Sequence, residues 1–162
     1  MTDTVRRHFT STAFVVHEGR TLLHWHKRLQ QWMPPGGHLL PDEDPVAGAL
    51  REVLEETGLR VELIALSPRY DFTRPGQLPA PHTILLEEST DDDGPHEHID
   101  LIYFCRPADG EQSDPRSEDA SWTWVSAEQL ERREALSNGS ASVAPPEDVR
   151  ALGLAAIGAS GA

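Results

Sequence analysis

Gly37-His38-Leu39-Leu40-Pro41-Asp42-Glu43-Asp44-Pro45-Val46-Ala47-Gly48-Ala49-Leu50-Arg51-Glu52-Val53-Leu54-Glu55-Glu56-Thr57-Gly58-Leu59 is the stretch on which the reading of this chain turns. Asp44 is placed as a helix N-cap, Pro45 suits the first helical position, and Gly58 stands where a left-handed residue closes a helix. Together they bracket a helix from about Pro45 to Thr57. Inside it Glu52, Glu55 and Glu56 recur at i, i+3 and i+4, so three carboxylates meet on one face and repel. At about 100° per residue, Val46, Ala49, Leu50, Val53 and Leu54 fall on the opposite side, toward a core. The acidic face is either a solvated surface tempered by Arg51 and Arg60 or the seat of a cation.

Composition narrows the choice of partners. The chain has 162 residues, with 14 Lys plus Arg against 27 Asp plus Glu, a formal net charge of −13. That length suits one domain spanning 1–162, with a core from about 9 to 158 and loose ends. The charge argues against a nucleic-acid polymer, which needs a basic footprint, and against a polybasic membrane surface. A small anionic substrate stays possible if a metal ion or local cations offset the field. Met1 to His8 shows no long apolar segment after its arginines, so no secretory signal is expected, and no run is long enough to span a bilayer. Cys105, the single cysteine, lies in an apolar strand-like segment and reads as a buried structural thiol. A cytoplasmic location is the expectation.

Outward from the helix, Phe9 to His17 alternates as a strand, and Glu18-Gly19-Arg20 reads as a hairpin turn into a strand from Thr21 to His26. Pro34-Pro35-Gly36-Gly37 reads as a loop. Strands are expected at Val61 to Leu66, Thr83 to Glu88 and His98 to Cys105, separated by a Pro/Gly loop (Arg74 to Pro81) and an acidic loop (Asp91 to Pro95). Trp122 to Val125 reads as a short strand entering a helix capped by Ser126. Beyond a polar stretch at Asn138-Gly139, Pro146 opens a last helix to about Ala156. Strands mixed with helices imply an α/β or α+β class.

The segment Gly37 to Leu59 resembles the Nudix box: Gly, five residues, Glu, seven residues, Arg-Glu, an apolar residue, any residue, Glu-Glu, any residue, Gly, an apolar residue. All seven specified positions are filled, a match expected by chance on the order of once in 10⁸ starting positions at ordinary composition. Trp32 with Pro34-Pro35, the strand His98-Ile-Asp-Leu-Ile-Tyr-Phe104 and Trp124-Val-Ser-Ala-Glu-Gln-Leu130 extend the likeness over roughly Phe9 to Leu130. The chain thus resembles the Nudix (MutT-like) hydrolase family. That resemblance implies the Nudix fold, an α/β/α sandwich around a mixed β-sheet with the box as loop–helix–loop. It also implies Mg²⁺-dependent hydrolysis of a diphosphate bond in a nucleoside diphosphate derivative or nucleoside triphosphate, with Mn²⁺ as a substitute ion.

By the same resemblance Glu52, Glu55, Glu56 and the Gly37 carbonyl are metal ligands, and Glu52 or Glu55 orients or deprotonates the attacking water. Arg51 is expected to pair with Glu43 and hold the box loop to the helix, while Gly36 and Gly37 let the backbone turn beside the metal. Hard divalent cations want oxygen ligands, which is what this face offers. A nucleotide sensor without turnover is the alternative, and the intact glutamates favour the enzyme.

Weaker signals surround the box. His24, His26, Lys27 and Arg28 form a local cationic patch, with Arg28 the candidate for phosphate contact. Trp32 can stack on a base or serve the packing. His96, His98 and Asp100 share one strand face but lack a fourth ligand for zinc; they read as a cluster lining the substrate cleft, through His98, or as an exposed strand edge. Glu97 is a possible extra carboxylate for the metal site. The sequence leaves the oligomeric state and the individual substrate open.

Overall fold

The computed structural model describes residues 5–110, 114–115 and 122–161. Ten strands and three helices follow along the described chain. Strands β1 (Arg7–His17), β2 (Arg20–His26), β3 (Gln31–Met33) and β4 (Gly36–His38) lead into helix α1 (Pro45–Thr57). Then come β5 (Val61–Leu63), β6 (Thr83–Asp91), β7 (Gly94–Pro107), β8 (Trp122–Ser126), α2 (Ala127–Glu131), β9 (Leu136–Ser137), β10 (Ser142–Val143) and α3 (Glu147–Ala159).

Eight of these strands make one mixed sheet in the order β3-β2-β1-β7-β5, with β4 on β1, β6 on β7 and β8 on β2. The central pair, β1 with β7, is parallel, setting His8 opposite His98 and Thr10 opposite Asp100; the other pairs are antiparallel. Strand alternation then builds two cores from the same strands. Phe14, Val16, Leu23, Ile102 and Phe104 face α3, with Val149, Ala156 and Ile157. Ala13, Val15, Leu22, Tyr103 and Cys105 face α1, with Ala49, Val53 and Leu59. Helices on both faces of a mixed sheet make an α/β/α sandwich, the architecture the resemblance implies.

Helix α1 has the bounds its caps imply. The Asp44 side chain accepts from the amides of Val46 and Ala47, and Gly58 sits at φ 74° with its N–H on the Leu54 carbonyl. Its apolar face is narrower than expected: Ala49 and Val53 are buried, but Leu54 is 39% exposed. Leu54 sits between Val53 and Glu55 at the edge of the stripe, where the sheet no longer covers it.

Other expectations are corrected by tertiary pairing. The Pro34–Gly37 stretch carries the end of one strand pair and the start of another, because β3 pairs with β2 and β4 pairs with β1. Strand β4 lies so near β1 that a Cβ on Gly36 would meet the Ser11 carbonyl oxygen at 2.8 Å and Thr12 Cα at 2.9 Å. Both obstacles are backbone and cannot move aside. Gly36→Ala is therefore expected to separate β4 from β1 and lower the melting temperature by several degrees; an unchanged melting curve would refute this close fit.

The acidic Asp91–Pro95 segment is no open loop. Strands β6 and β7 run on to pair Asp91 with Gly94 around a two-residue turn. Arg6 braces that turn, donating to Asp91 Oδ1 at 2.8 Å and to the Gly94 carbonyl at 3.2 Å. Strand β5 stops at Leu63, short of Leu66, which is 51% exposed. The Asn138-Gly139 stretch is the turn of the β9–β10 hairpin, with Asn138 Oδ1 accepting from the amides of Ser140 and Ala141. Pro146 is the N-cap of α3 rather than its first residue, and that helix continues to Ala159. Of the loose ends expected outside about 9–158, Arg7 and His8 belong to β1 and Ala159 to α3, while Met1–Thr4 and Ala162 lie outside the described residues.

Candidate active site

Arg51 is the hub of the box. Its guanidinium grips Glu43 in a two-point fork, Nε to Oε1 at 2.7 Å and Nη2 to Oε2 at 2.9 Å. Nη1 donates to Glu52 Oε1 at 2.7 Å and to Glu55 Oε2 at 3.1 Å, and Nη2 also reaches the His38 carbonyl at 3.1 Å. Glu43 in turn accepts from the Leu40 amide. One planar cation thus ties the loop, β4 and two helix carboxylates into a single unit. The Arg51 contact, then the Leu40 amide, holds the Glu43 carboxyl below its ordinary range, and Glu43, then Glu52, raise the Arg51 pKa.

Glu52 lies against Gly37 so closely that a Cβ there would come 2.6 Å from Glu52 Oε1. The missing side chain is a cradle for that carboxylate. Glu56 is in a different condition. Burial, then the neighbouring Glu52, pushes its pKa up to about 7, although a backbone bond from Gly36 opposes the shift. Glu56 Oε2 is buried with no hydrogen-bond partner. An unpartnered buried oxygen of this kind costs about 1–3 kcal/mol. Glu55, by contrast, is 59% exposed.

Glu56, Gly36 and Gly37 form one wall of a cavity of about 320 Å³. Its floor follows from strand alternation. Thr10, Thr12 and Phe14 come from β1; His98, Asp100 and Ile102 come from β7; Leu85 and Glu87 come from β6. Asp148 and Leu152 of α3 close the far side. Asp100 accepts from both threonines, Thr10 at 2.9 Å and Thr12 at 2.8 Å. Burial still raises its pKa. Glu87 is raised to about 7, by burial first and then by Asp100 and Asp148.

The other sequence candidates separate into two groups. Arg28 and His98 line the cavity. Trp32 does not: it is 1% exposed in the core, packed edge-on to Trp25 at 5.5 Å, so the stacking role is ruled out by burial. Glu97 pairs with Arg7 at 2.7 Å and does not line the cavity. The charge of the cationic patch rests on Lys27 and Arg28, because burial, then His26, lowers the His24 pKa to about 4, with its ring stacked on Trp122 at 4.5 Å, and burial lowers that of His26 as well. Cys105 is fully buried, its thiol pushed up to about 12 by burial, as suits a structural residue.

Missed by the sequence were Thr10, Thr12, Glu87 and Asp148. The strand alternation placed the first two on one face of β1, but which face lines a cavity depends on the parallel register with β7, which no local pattern displays.

No described helix is long and apolar enough to cross a membrane. The family model of the NUDIX domain matches residues 6–145. A MutT-like protein of Streptomyces ambofaciens is 31% identical over 128 residues, which are 78% of this chain and 69% of that protein. A hydrolase of the NUDIX family from Clostridium perfringens has a similar structure, with a TM-score of 0.68 at 28% identity, covering 95% of this chain and 98% of that one. The m7GpppN-mRNA hydrolase NUDT17 of Bos taurus is 57% identical over 30 residues, 18% of this chain and 10% of that protein, a likeness confined to one segment. Matched over most of its length by the family model and by these two relatives, the Streptomyces protein and the Clostridium hydrolase, this chain belongs to the Nudix hydrolases, enzymes that cleave diphosphate linkages.

Proposed function

We propose that this chain hydrolyses a diphosphate bond in a nucleoside diphosphate derivative or nucleoside triphosphate, with Mg²⁺, or Mn²⁺ in its place, held by Glu52, Glu55, Glu56 and the Gly37 carbonyl. The observation that carries the reading is Glu56 Oε2, a carboxylate oxygen buried without a hydrogen-bond partner in the wall of the cavity. The donor set is all oxygen, as a hard divalent cation prefers. When bound, such an ion neutralises charge on the diphosphate and lowers the pKa of a bound water.

The protein side groups do the rest. Arg51 fixes Glu52 at 2.7 Å and aligns it toward the Gly37 cradle. Glu52, so held, serves as the water-orienting base; Glu55, mostly exposed, is its less constrained neighbour. Arg28 offers a fork for phosphate oxygens at the rim, and His98 lies on the floor opposite. The cavity volume of about 320 Å³ lies at the lower end of small-ligand sites, which run from roughly 300 to 1,000 Å³. Its apolar patch, Phe14, Met33, Leu85 and Ile102, beside the acceptors Asp100 and Glu87, suits a base or sugar with N–H or O–H groups.

A panel of nucleoside triphosphates, dinucleoside polyphosphates and nucleotide sugars, scored for phosphate-containing products with Mg²⁺, tests this reading. Turnover is expected for at least one class and is expected to vanish in excess chelator, returning with Mg²⁺ or Mn²⁺. Hydrolysis that persists undiminished in chelator refutes the metal assignment.

A further inference from the structure

Four histidines converge at the end of the cavity floor that His38 and His98 line. His8 and His98 are partners in the parallel register of β1 and β7, and His96 lies two residues earlier on the same face of β7. His38 arrives from β4, whose pairing sets it opposite Thr10. One ring nitrogen from each histidine lies within 4.8 Å of all the others. Two pairs are closer still: His96 Nε2 to His98 Nε2 at 3.0 Å, and His8 Nδ1 to His38 Nε2 at 3.3 Å. Four nitrogens bound tetrahedrally at roughly 2.0–2.1 Å from zinc stand about 3.3 Å apart. We propose that His8, His38, His96 and His98 form a binding site for one Zn²⁺ ion, separate from the oxygen-donor site of the box.

Packing alone gives no reason for this arrangement. Two ring nitrogens facing each other at 3.0 Å share at most one proton, so the cluster gathers lone pairs that a cation can use. Nitrogen donors select zinc and similar ions over Mg²⁺, which is the reverse of the preference of the glutamates.

The surroundings of His96 fit a ligand held by its outer nitrogen. Its side chain is 2% exposed, with Nδ1 at 3.2 Å from the Gly94 carbonyl and 3.6 Å from Asp91 Oδ2. A proton on Nδ1 bonded there frees Nε2 for the metal, the usual support for a metal-bound imidazole. Arg6 Nη2 also stands 3.3 Å from Nδ1, and as a pure donor it favours the opposite tautomer, with the proton on Nε2 toward His98. Metal binding therefore moves one proton across the His96 ring, and Asp91, already bonded to Arg6 at 2.8 Å, holds the arginine when it is released. His38 follows Gly37 directly, and its carbonyl accepts from Arg51, so an ion here would pin β4 beside the box.

The test uses the metal-stripped full chain and Co²⁺ as a spectroscopic stand-in for Zn²⁺. Titration is expected to give an intense tetrahedral visible band saturating at one equivalent, bleached by Zn²⁺ and indifferent to excess Mg²⁺. His8→Ala/His38→Ala, at two of the more accessible positions, is expected to bind Zn²⁺ at least about 100-fold more weakly in competition with a chromophoric chelator; Asp91→Asn should weaken it about tenfold. Glu52→Gln should keep the band. Zn²⁺ should raise the melting temperature of the wild type and not of the double variant, whose metal-free melting curve reports that it has folded. A wild type without a tetrahedral band, a folded double variant that binds as tightly, or a band lost in Glu52→Gln instead overturns the assignment.

Discussion

Glu56→Gln is expected to lower turnover by a factor on the order of 10² or more while leaving the metal-free protein at least as stable. The replacement keeps shape and hydrogen-bonding capacity and removes one charge from a partly buried position of the cluster. The metal-free protein gives a second readout, through pH. Glu56 is raised from 4.5 to about 7 in the folded chain, so the folded state binds its proton more tightly than the unfolded one. Stability then falls as pH climbs from about 4.5 to about 7, because ionising the buried carboxyl costs the folded state alone. Glu87, raised to about 7, adds a slope of the same sign. Glu56→Gln should remove its own share of that slope and leave the share from Glu87. Mg²⁺ should flatten the slope in the wild type and stabilise it more than the variant, since only a complete ligand set gains from mass action. Melting curves from pH 4 to 8, with and without Mg²⁺, read both effects. A variant with full activity, or one that loses its fold without metal, would show that Glu56 serves structure instead.

Arg51→Ala should damage stability more than any other single change in the box. Its guanidinium meets three carboxylates and one carbonyl, and Glu43 and Glu52 are only 12% and 14% exposed. Removing the shared cation leaves these acids facing one another with little water. Uncompensated buried charges of this type cost about 3–5 kcal/mol, and the residual exposure places this case near the lower figure. For a domain of this length that is a fall in melting temperature of about 10 °C. Catalysis should fall further than stability explains, because Glu52 loses the contact that aims it. Arg51→Lys restores charge without the fork and should recover much of the stability but little of the turnover. Equal recovery of both would mean that Arg51 acts only as a counter-charge.

The helix and its caps were legible because capping is local: Asp44, Pro45 and Gly58 act within one turn of themselves. The box contacts were legible for a similar reason, since Glu43 and Arg51 lie 8 residues apart across the first turns of α1. Long-range register was not. Nothing around His8 announces that a parallel strand sets it opposite His98, so the zinc reading of His96 and His98 found no further ligands in the sequence. Short strands such as β4 escaped too: Gly36-Gly37 reads as a loop because glycine disfavours isolated strands, yet the ladder accepts it where no side chain fits. Trp32 shows the opposite limit, since composition cannot tell a base-stacking tryptophan from a core one.

The parallel pairing of β1 with β7 also governs the order in which this chain can fold as it is made. Thr10 and its partner Asp100 are 90 residues apart, so the middle of the sheet cannot close until most of the chain has left the ribosome. Until then β1 has only β2 and β4 to pair with, and α1 can coil beside an unfinished platform. A nascent chain held just short of β7 would expose an apolar β1 edge and an acidic helix together. Residues 1–93, made before β7, carry 9 Lys plus Arg against 15 Asp plus Glu, and that acidic excess acts as a solubilising coat during the interval in which the molecule is most open to aggregation.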